Sequence, residues 1–324
     1  MAGQQWALSE DGGYLSHTQL SRKVRNANQP RYIFRQFTRV EPGIGKNKGD
    51  TIDFRKVTNI QTGGGRIGEN QDIPESKVLI KSDSLVITEW GNSIPFTGKL
   101  EALAEFDPEN IVQKALMNDQ HKTLDVAVAD EFQTCNIKYI PTADTTGTWD
   151  TDGTPNTTAT VNFNMSHLKN IVDNMMTGFG DASLSLNPVP TFPDGNYVAV
   201  LSVKAARGLY DDPEFQEAAK FAIPRKLLNG ELPDVVYNTR ILTTNNIAAL
   251  SNGLGSNDVL GEALVFGDDA VMEGVAIKEE LRAKVPVKYG RDKGIAWYAI
   301  LDFQKTWDLD IDSEDHIVHV TSDS

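Results

Sequence analysis

The sequence predicts an α+β fold on three observations. Residues 107–135 carry apolar side chains at helical spacing behind a capping signal. Strand-like runs gather after residue 234 instead of alternating with helices. Ahead of the long helix stand a basic arm and a glycine-tipped strand pair, and neither holds enough apolar surface for a core of its own. Such elements complete themselves against a neighbour, and further copies of the chain supply one.

The elements follow in chain order. Residues 1–49 mix Gly, Gln, Asn and Arg with isolated aromatics (Trp6, Tyr14, Tyr32, Phe34, Phe37), the pattern of an extended arm that docks on a surface. From Thr51 a strand sets Ile52, Phe54 and Lys56 on one side. A second runs from Lys77 to Trp90, with Val78, Ile80, Val86, Thr88 and Trp90 sharing a parity. The two pair, and the turn formers QTGGGRIGENQDIPE join them.

Asp107 and Pro108 open the long helix as N-cap and first residue, and Glu109 complements its dipole. Its stripe is Met117, His121, Leu124, Val128, Phe132 and Cys135, broadened by Ile111, Val112, Leu116 and Ala127. The span is about 40 Å at 1.5 Å per residue. Residues 141–160, almost all turn formers, predict a surface loop. Ser166 caps a short helix that Gly178 ends. Tyr197–Val203 is a buried strand, and Asp212 with Pro213 starts a helix stopping before Pro224. Further strands are expected at Val235–Thr243, Ala263–Phe266, Val285–Tyr289 and Ile295–Phe303, then in an alternating end through Trp307, Leu309, Ile311 and Ile317.

The 324 residues, 40% hydrophobic and 23% charged, are those of an ordinary globular chain of about two domains. No apolar run approaches the roughly 20 residues that span a bilayer, so no membrane partner is expected. The opening MAGQQWALSEDGG lacks the features of a secretory signal, which predicts a cytoplasmic site of synthesis. One cysteine, Cys135, excludes an internal disulfide framework. The net charge of −14 argues against general nucleic-acid binding. It is unevenly spread: residues 1–48 hold eight Lys/Arg against three acids, and residues 302–324 hold seven acids against one Lys. A basic head and an acidic tail suit head-to-tail contact between subunits.

Motifs for chemistry are weak. Gly63, Gly65 and Gly68 satisfy G-x-G-x-x-G, which would cradle a nucleotide pyrophosphate, but the following ENQDIPES cannot open the required helix. Gly63, Gly64 and Gly65 then serve a tight loop tip. His316 and His319 lie in a strand context that points them to opposite faces, away from any shared metal. Asp308, Asp310 and Asp312 copy the start of a calcium loop but alternate with apolar residues, and Ser313 replaces the needed Gly. No nucleophile, base and orienter set emerges, so no enzyme, cofactor or metal is expected.

The run GDTIDFRKV, the tip RIGENQDIPES, KVLIKSDSLVITEWGNSIPFTGKL and FDPENIVQKALMNDQHKTLDVAVADEF resembles the major capsid protein of tailed double-stranded DNA bacteriophages. The stretches GNYVAVLSVKAARGLYDDPEFQEAA and LVFGDDAVMEGVAIKEELRAKVPVKYGRDKGIAWYAILDF are similar to the axial and closing strands of a subfamily typical of short-tailed phages. The resemblance implies an N-terminal arm (1–49), an extended E-loop hairpin (50–98), and a peripheral domain (99–190) with a spine helix (107–135) and a surface loop (141–160). An axial domain (191–284) and closing strands with the acidic C-terminal segment (285–324) complete it.

The implied role is structural: self-assembly into hexamers and pentamers of an icosahedral virion shell around double-stranded DNA, formed in the host cytoplasm. Implied partners are the chain itself, a separate scaffolding protein, a portal protein, a cement protein and packaged DNA bound without sequence specificity. Inter-subunit contacts are expected at Arg31, Arg35, Arg39, Gly63, Gly64, Gly65, Arg66 and Trp90. The alternatives are an encapsulin-type compartment shell, which shares the fold, and a nucleotide-binding enzyme using Gly63, Gly65 and Gly68. Lys77 and Lys81 lie where some members form a covalent crosslink to a neighbouring asparagine.

Overall fold

The computed structural model describes residues 33–42, 49, 51–58, 65–69, 72–73, 75, 77–104, 107–153, 161–180, 184–222, 235–246 and 260–323. After a 3-10 turn at Arg35–Phe37 come β1 (Arg39–Pro42), β2 (Thr51–Val57), β3 (Ile80–Val86), β4 (Thr88–Thr97), α1 (Gly98–Leu103) and α2 (Pro108–Gln133). The chain continues through β5 (Lys138–Ala143), β6 (Thr146–Asp150), α3 (Met165–Thr177), β7 (Tyr197–Ser202), α4 (Val203–Asp211) and α5 (Pro213–Ala222). Then follow β8 (Val235–Val236), β9 (Thr239–Thr244), β10 (Gly261–Phe266), β11 (Val271–Ala283), β12 (Asp292–Lys305), a short helical turn α6 (Leu309–Asp312) and β13 (Ile317–Ser322).

Among the described residues the strands form three sheets: four strands ordered β1-β11-β12-β4, seven ordered β6-β5-β13-β10-β7-β9-β8, and the pair β2-β3. The run YVAVL of β7 is apolar without alternation because both of its faces are buried. Tyr197, Ala199 and Leu201 pack with α3 and α4 in one core. Val198 and Val200 face a second core, shared with α2 and with Trp297, Ala299 and Leu301 of β12. The four-stranded sheet draws strands from residues 39–42, 88–97, 271–283 and 292–305, so its membership crosses the contiguous segment boundaries expected at 99, 191 and 285.

The long helix starts as its sequence signals require: Asp107 accepts the Glu109 N–H and Pro108 follows it. Leu124, Val128, Phe132 and Cys135 of the expected line are buried, with Leu116 beside them; only toward the N-terminal end does the buried face run through Leu116 and Gln120 instead of His121 and Met117, and Met117 is exposed. The difference there arises because polar Gln120 is buried, as Asp125 is further along, which an apolar count passes over. The cap of α3 is Asn164, whose Oδ1 accepts the His167 N–H, rather than Ser166. Gly178 ends that helix at φ 80°, where a Cβ would lie 2.1 Å from the Leu186 carbonyl oxygen.

Four other expectations are corrected. Residues 141–150 lie largely within the β5–β6 hairpin, where Tyr139 stacks edge-on against Trp149. Val285–Tyr289 is the turn between β11 and β12; Lys288 and Tyr289 have positive φ, so the β-branched residues there do not mark a strand. Asp308, read as part of an alternating strand, instead caps α6 by accepting the Asp310 and Ile311 N–H groups. The fourth concerns the second expected strand, which divides: β3 pairs with β2, and β4 pairs with β12.

Candidate inter-subunit contact site

Residues 33–38 are held on the body of their own chain. Oδ1 of Asp125, fully buried in the middle of α2, accepts the backbone N–H groups of Ile33, Phe34 and Arg35 at 2.8, 2.9 and 3.3 Å. Its Oδ2 accepts Asn246 Nδ2 at 2.6 Å. One helical carboxylate thereby caps a 3-10 turn some ninety residues away in sequence. Phe34 is wholly buried against Phe132, and Phe37 meets Phe192 and Phe266 edge-on. The Arg35 guanidinium binds Glu273 at 2.7 Å and Glu279 at 2.9 Å. Burial opposes its charge, but the two carboxylates more than offset this and hold its pKa above the ordinary arginine value. Burial likewise disfavours the Glu279 anion, yet Arg35 brings that carboxyl below its usual range.

Among the described residues the hairpin β2–β3 joins no other sheet. Its register places Ile52 opposite Leu85, Phe54 opposite Asp83 and Lys56 opposite Lys81 on one face. This face lies on the body. Ile52 and Leu85 sit over Gly274 of β11, where a Cβ would come within 2.6 and 2.5 Å of their methyls. Asp83 Oδ1 accepts Gln304 Nε2, and the Lys56 ammonium reaches Asp312 at 2.7 Å and Asp83 at 3.1 Å. The expected apolar parity is therefore inverted. Ile80 (65% exposed), Val86 (54%) and Val57 (58%) face outward, and Val78 and Leu79 are exposed beside them.

The turn between β11 and β12 is a second projection. Val285, Val287 and Tyr289 are exposed at its tip, and residues 282–293 hold five Lys/Arg against Asp292. The alternation of valines that suggested a strand is the one sequence signal this surface left.

Of the residues expected at contacts, Arg31, Gly63 and Gly64 lie outside the described ones. Gly65 and Arg66 are exposed, and nothing approaches Gly65 within 4 Å of a Cβ. Arg39 is 62% exposed and pairs with Asp269 at 3.4 Å. Arg35 is engaged inside its own chain, as above. Trp90 is half-buried on the α2 core and donates its indole N–H to the Leu301 carbonyl at 2.9 Å. The five described ones lie on different elements: Arg35 and Arg39 at the 3-10 turn and β1, Gly65 and Arg66 between β2 and β3, and Trp90 in β4.

The acidic C-terminal stretch is folded in rather than presented. Asp315 is buried and accepts the Asn136 and Ile317 N–H groups, and burial pushes its carboxyl up to about 6. Asp308 pairs with Lys305 at 3.0 Å. His316 contacts the Asp268 carbonyl, and His319 lies in a different cluster with Lys138 and Glu262. That cluster also brings Cys135 within 3.9 Å of the Lys138 ammonium. All four side chains are closed to solvent, and burial pushes the thiol up to about 12, so it carries no nucleophile at neutral pH. Among the described residues no group of three His, Cys, Asp or Glu is placed to hold a metal, and no helix is long and apolar enough to cross a membrane.

No family model matches the sequence, and no curated protein matches it either. Solved structures do match. The acid-stable capsid of Helicobacter pylori bacteriophage KHP30 superposes with a TM-score of 0.73 at 14% identity, over 98% of this chain and 98% of that one. The fold is a phage capsid-protein fold. The capsid of Ralstonia phage GP4 gives 0.66 at 15% identity over 100% and 98% of the two chains. That of cyanophage Pam1 gives 0.66 at 14% over 99% of each. At such identities the capsid fold is carried by element order and burial pattern rather than by shared residues.

Proposed function

We propose that this chain is the major capsid protein of a tailed bacteriophage, in the short-tailed group that its later strands resemble. It assembles as hexamers and pentamers into an icosahedral shell that encloses double-stranded DNA in the virion. The observation that carries the reading is the near-complete overlap with capsid proteins, 98% of both chains for the first of them at a TM-score of 0.73. Local physics supports it. The hairpin turns valine and isoleucine to water while burying a lysine, a pattern that gains stability only when a second copy covers the outer face.

In this reading β2–β3 is the E-loop, α2 the spine helix, and the seven-stranded sheet the centre of the axial domain. Arg39 and Arg66 are exposed and available to a neighbour, whereas Arg35 and Trp90 act within their own subunit. Assembly takes place in the host cytoplasm with a scaffolding protein, a portal and a cement protein as partners.

The test is imaging and sizing of the purified chain, alone and with co-expressed partners, beside the variant Val57→Asp/Ile80→Asp. Closed shells, or rings of five and six, are expected from the parent. The variant is expected to keep the two large sheets folded, because both positions are exposed and lie on the hairpin, where the facing carboxylates cost about 1 kcal/mol, and to form none. A parent that stays monomeric under every partner and salt condition overturns the shell reading. A variant that closes normally removes the hairpin face from it.

A further inference from the structure

We propose that Lys56 and Asp312 form a latch that sets the angle of the β2–β3 hairpin on its own subunit. This rests on the reading of the hairpin as an element offered to a second copy, and it names what positions that element.

Among the described residues the hairpin shares no ladder hydrogen bonds with either large sheet. Its C-terminal strand passes into the body through one residue, Ile87, between β3 and β4. Near that pivot, Ile52 and Leu85 rest over Gly274 and fix the base. Lys56 stands five residues along β2 from the base pair Thr51–Val86, a lever of about 17 Å at the usual strand rise. Beyond it opens a cleft of about 430 Å³, walled by Val57 and Val78 on the hairpin side and by Pro188, Pro190 and Trp307 on the body side. At the lever's end the hairpin is therefore held by polar contacts beside an open space, not by a packed core.

Lys56 is the single buried residue of β2. Its side chain is 3% exposed and that of Asp312 is 0% exposed, at 2.7 Å. Asp312 is itself oriented by the Asp308 N–H at 3.1 Å, and the Phe54 ring lies 5.3 Å from the ammonium. A buried ion pair adds little net free energy, because desolvation offsets most of the Coulomb attraction, but it tolerates one geometry only. When the hairpin swings out, both charges regain water. The latched and open orientations therefore lie close in energy while remaining distinct, which makes the pair a positioning device and not a glue.

The test measures hairpin orientation directly. Cys135, the one cysteine, is closed to solvent, so spin labels can be confined to Ser82→Cys on the hairpin and Lys122→Cys on α2, both exposed positions. The labelled parent is expected to give one narrow distance distribution. Lys56→Met is expected to broaden it by on the order of 10 Å, the sweep of that lever through roughly 30°. Asp312→Asn, which leaves Asp83 as a partner for the ammonium, supplies the same readout if Lys56→Met does not fold. The double variant Lys56→Met/Asp312→Asn, which lacks both ends of the latch and buries no unpaired charge there, is expected to stay as broad as the single variants; a narrow distribution in it overturns the latch. Unchanged distances in the folded single variants overturn the latch, whatever the shells do. Changed distances with shells forming at the parent rate keep the latch and overturn the role of the hairpin as a subunit contact.

Discussion

Replacing Asp125 with Ala removes the acceptor that holds the arm's end, and the structure sets the size of the effect. Three backbone N–H groups converge on one buried oxygen, two of them at 2.8 and 2.9 Å. Hydrogen bonds to a charged acceptor contribute about 1.5–3 kcal/mol each, and an orphaned buried donor costs a similar amount. Phe34 is wholly buried and cannot recover its bond from water, whereas Ile33 and Arg35 are half-buried and can. The net loss is then about 3 kcal/mol, a little over a hundredfold in the opening equilibrium of residues 33–38. Phe34 packing and the Arg35 clamp persist, so the expected result is a local opening and not global unfolding. Hydrogen exchange reads this directly: amides 34 and 35 exchange on the order of 100-fold faster in Asp125→Ala, while the β7 and β10 amides are unchanged. Asp125→Asn keeps an oxygen but loses the charge, and falls between the two. Exchange at 34 and 35 within about threefold of the parent would refute the claim that this carboxylate anchors the arm.

Two further outcomes follow from the same structure. Gly274→Val puts a side chain where Leu85 and Ile52 stand within 2.6 Å of a Cβ, so it lifts the hairpin base at about 1–3 kcal/mol of overpacking; a lowered melting temperature together with lost assembly checks it. Acid acts on two buried groups with opposite signs. Burial holds His316 down at about 4 against its ordinary 6.5, so its support for the fold is full above 6.5 and is lost as pH falls toward 4. Burial raises Asp315 to about 6 against 3.8, so its native form takes up a proton first and the fold gains as pH falls from 7 to 4, by about 3 kcal/mol. Melting curves of Asp315→Asn therefore fall more steeply than the parent's on acidification, and those of His316→Asn less steeply. A parallel shift of both sets aside burial as the cause.

The long helix was legible because its cap, its proline and its apolar spacing are local. The strands β7, β10 and β12 were legible for the same reason, as runs too apolar for any solvent-facing element. What was not legible depends on residues far apart. Asp125 reads as an ordinary charge on a helix, and only the fold brings residues 33–35 to it. Arg35 reads as part of a basic arm meant for a neighbour, yet Glu273 and Glu279, over two hundred residues on, claim it. The tail likewise reads as exposed acid, while Asp312 and Asp315 are buried against partners that only the fold supplies. The capsid fold itself came through element order, which survives at 14% identity where contact residues do not.

The inverted hairpin links these levels. A strand shifted by one residue exchanges its faces, so nothing in the alternation of residues 77–90 states which parity points inward. Apolar content favours the even positions, and a solitary protein would bury Ile80 and Val86. This one buries Lys56 and leaves those two in water. Exposing them forgoes roughly 1.5–3 kcal/mol of burial for each side chain, and the ion pair underneath returns little of it. A monomer gains nothing from that exchange. In the proposed shell a subunit would gain directionality: the apolar surface would be withheld from its own core, held by Asp312 at one orientation, and buried only when a copy arrived from the outer side. Lys56 is thus as informative about assembly as the valines, because a charge occupies the place where apolar packing would have kept the hairpin for its own subunit.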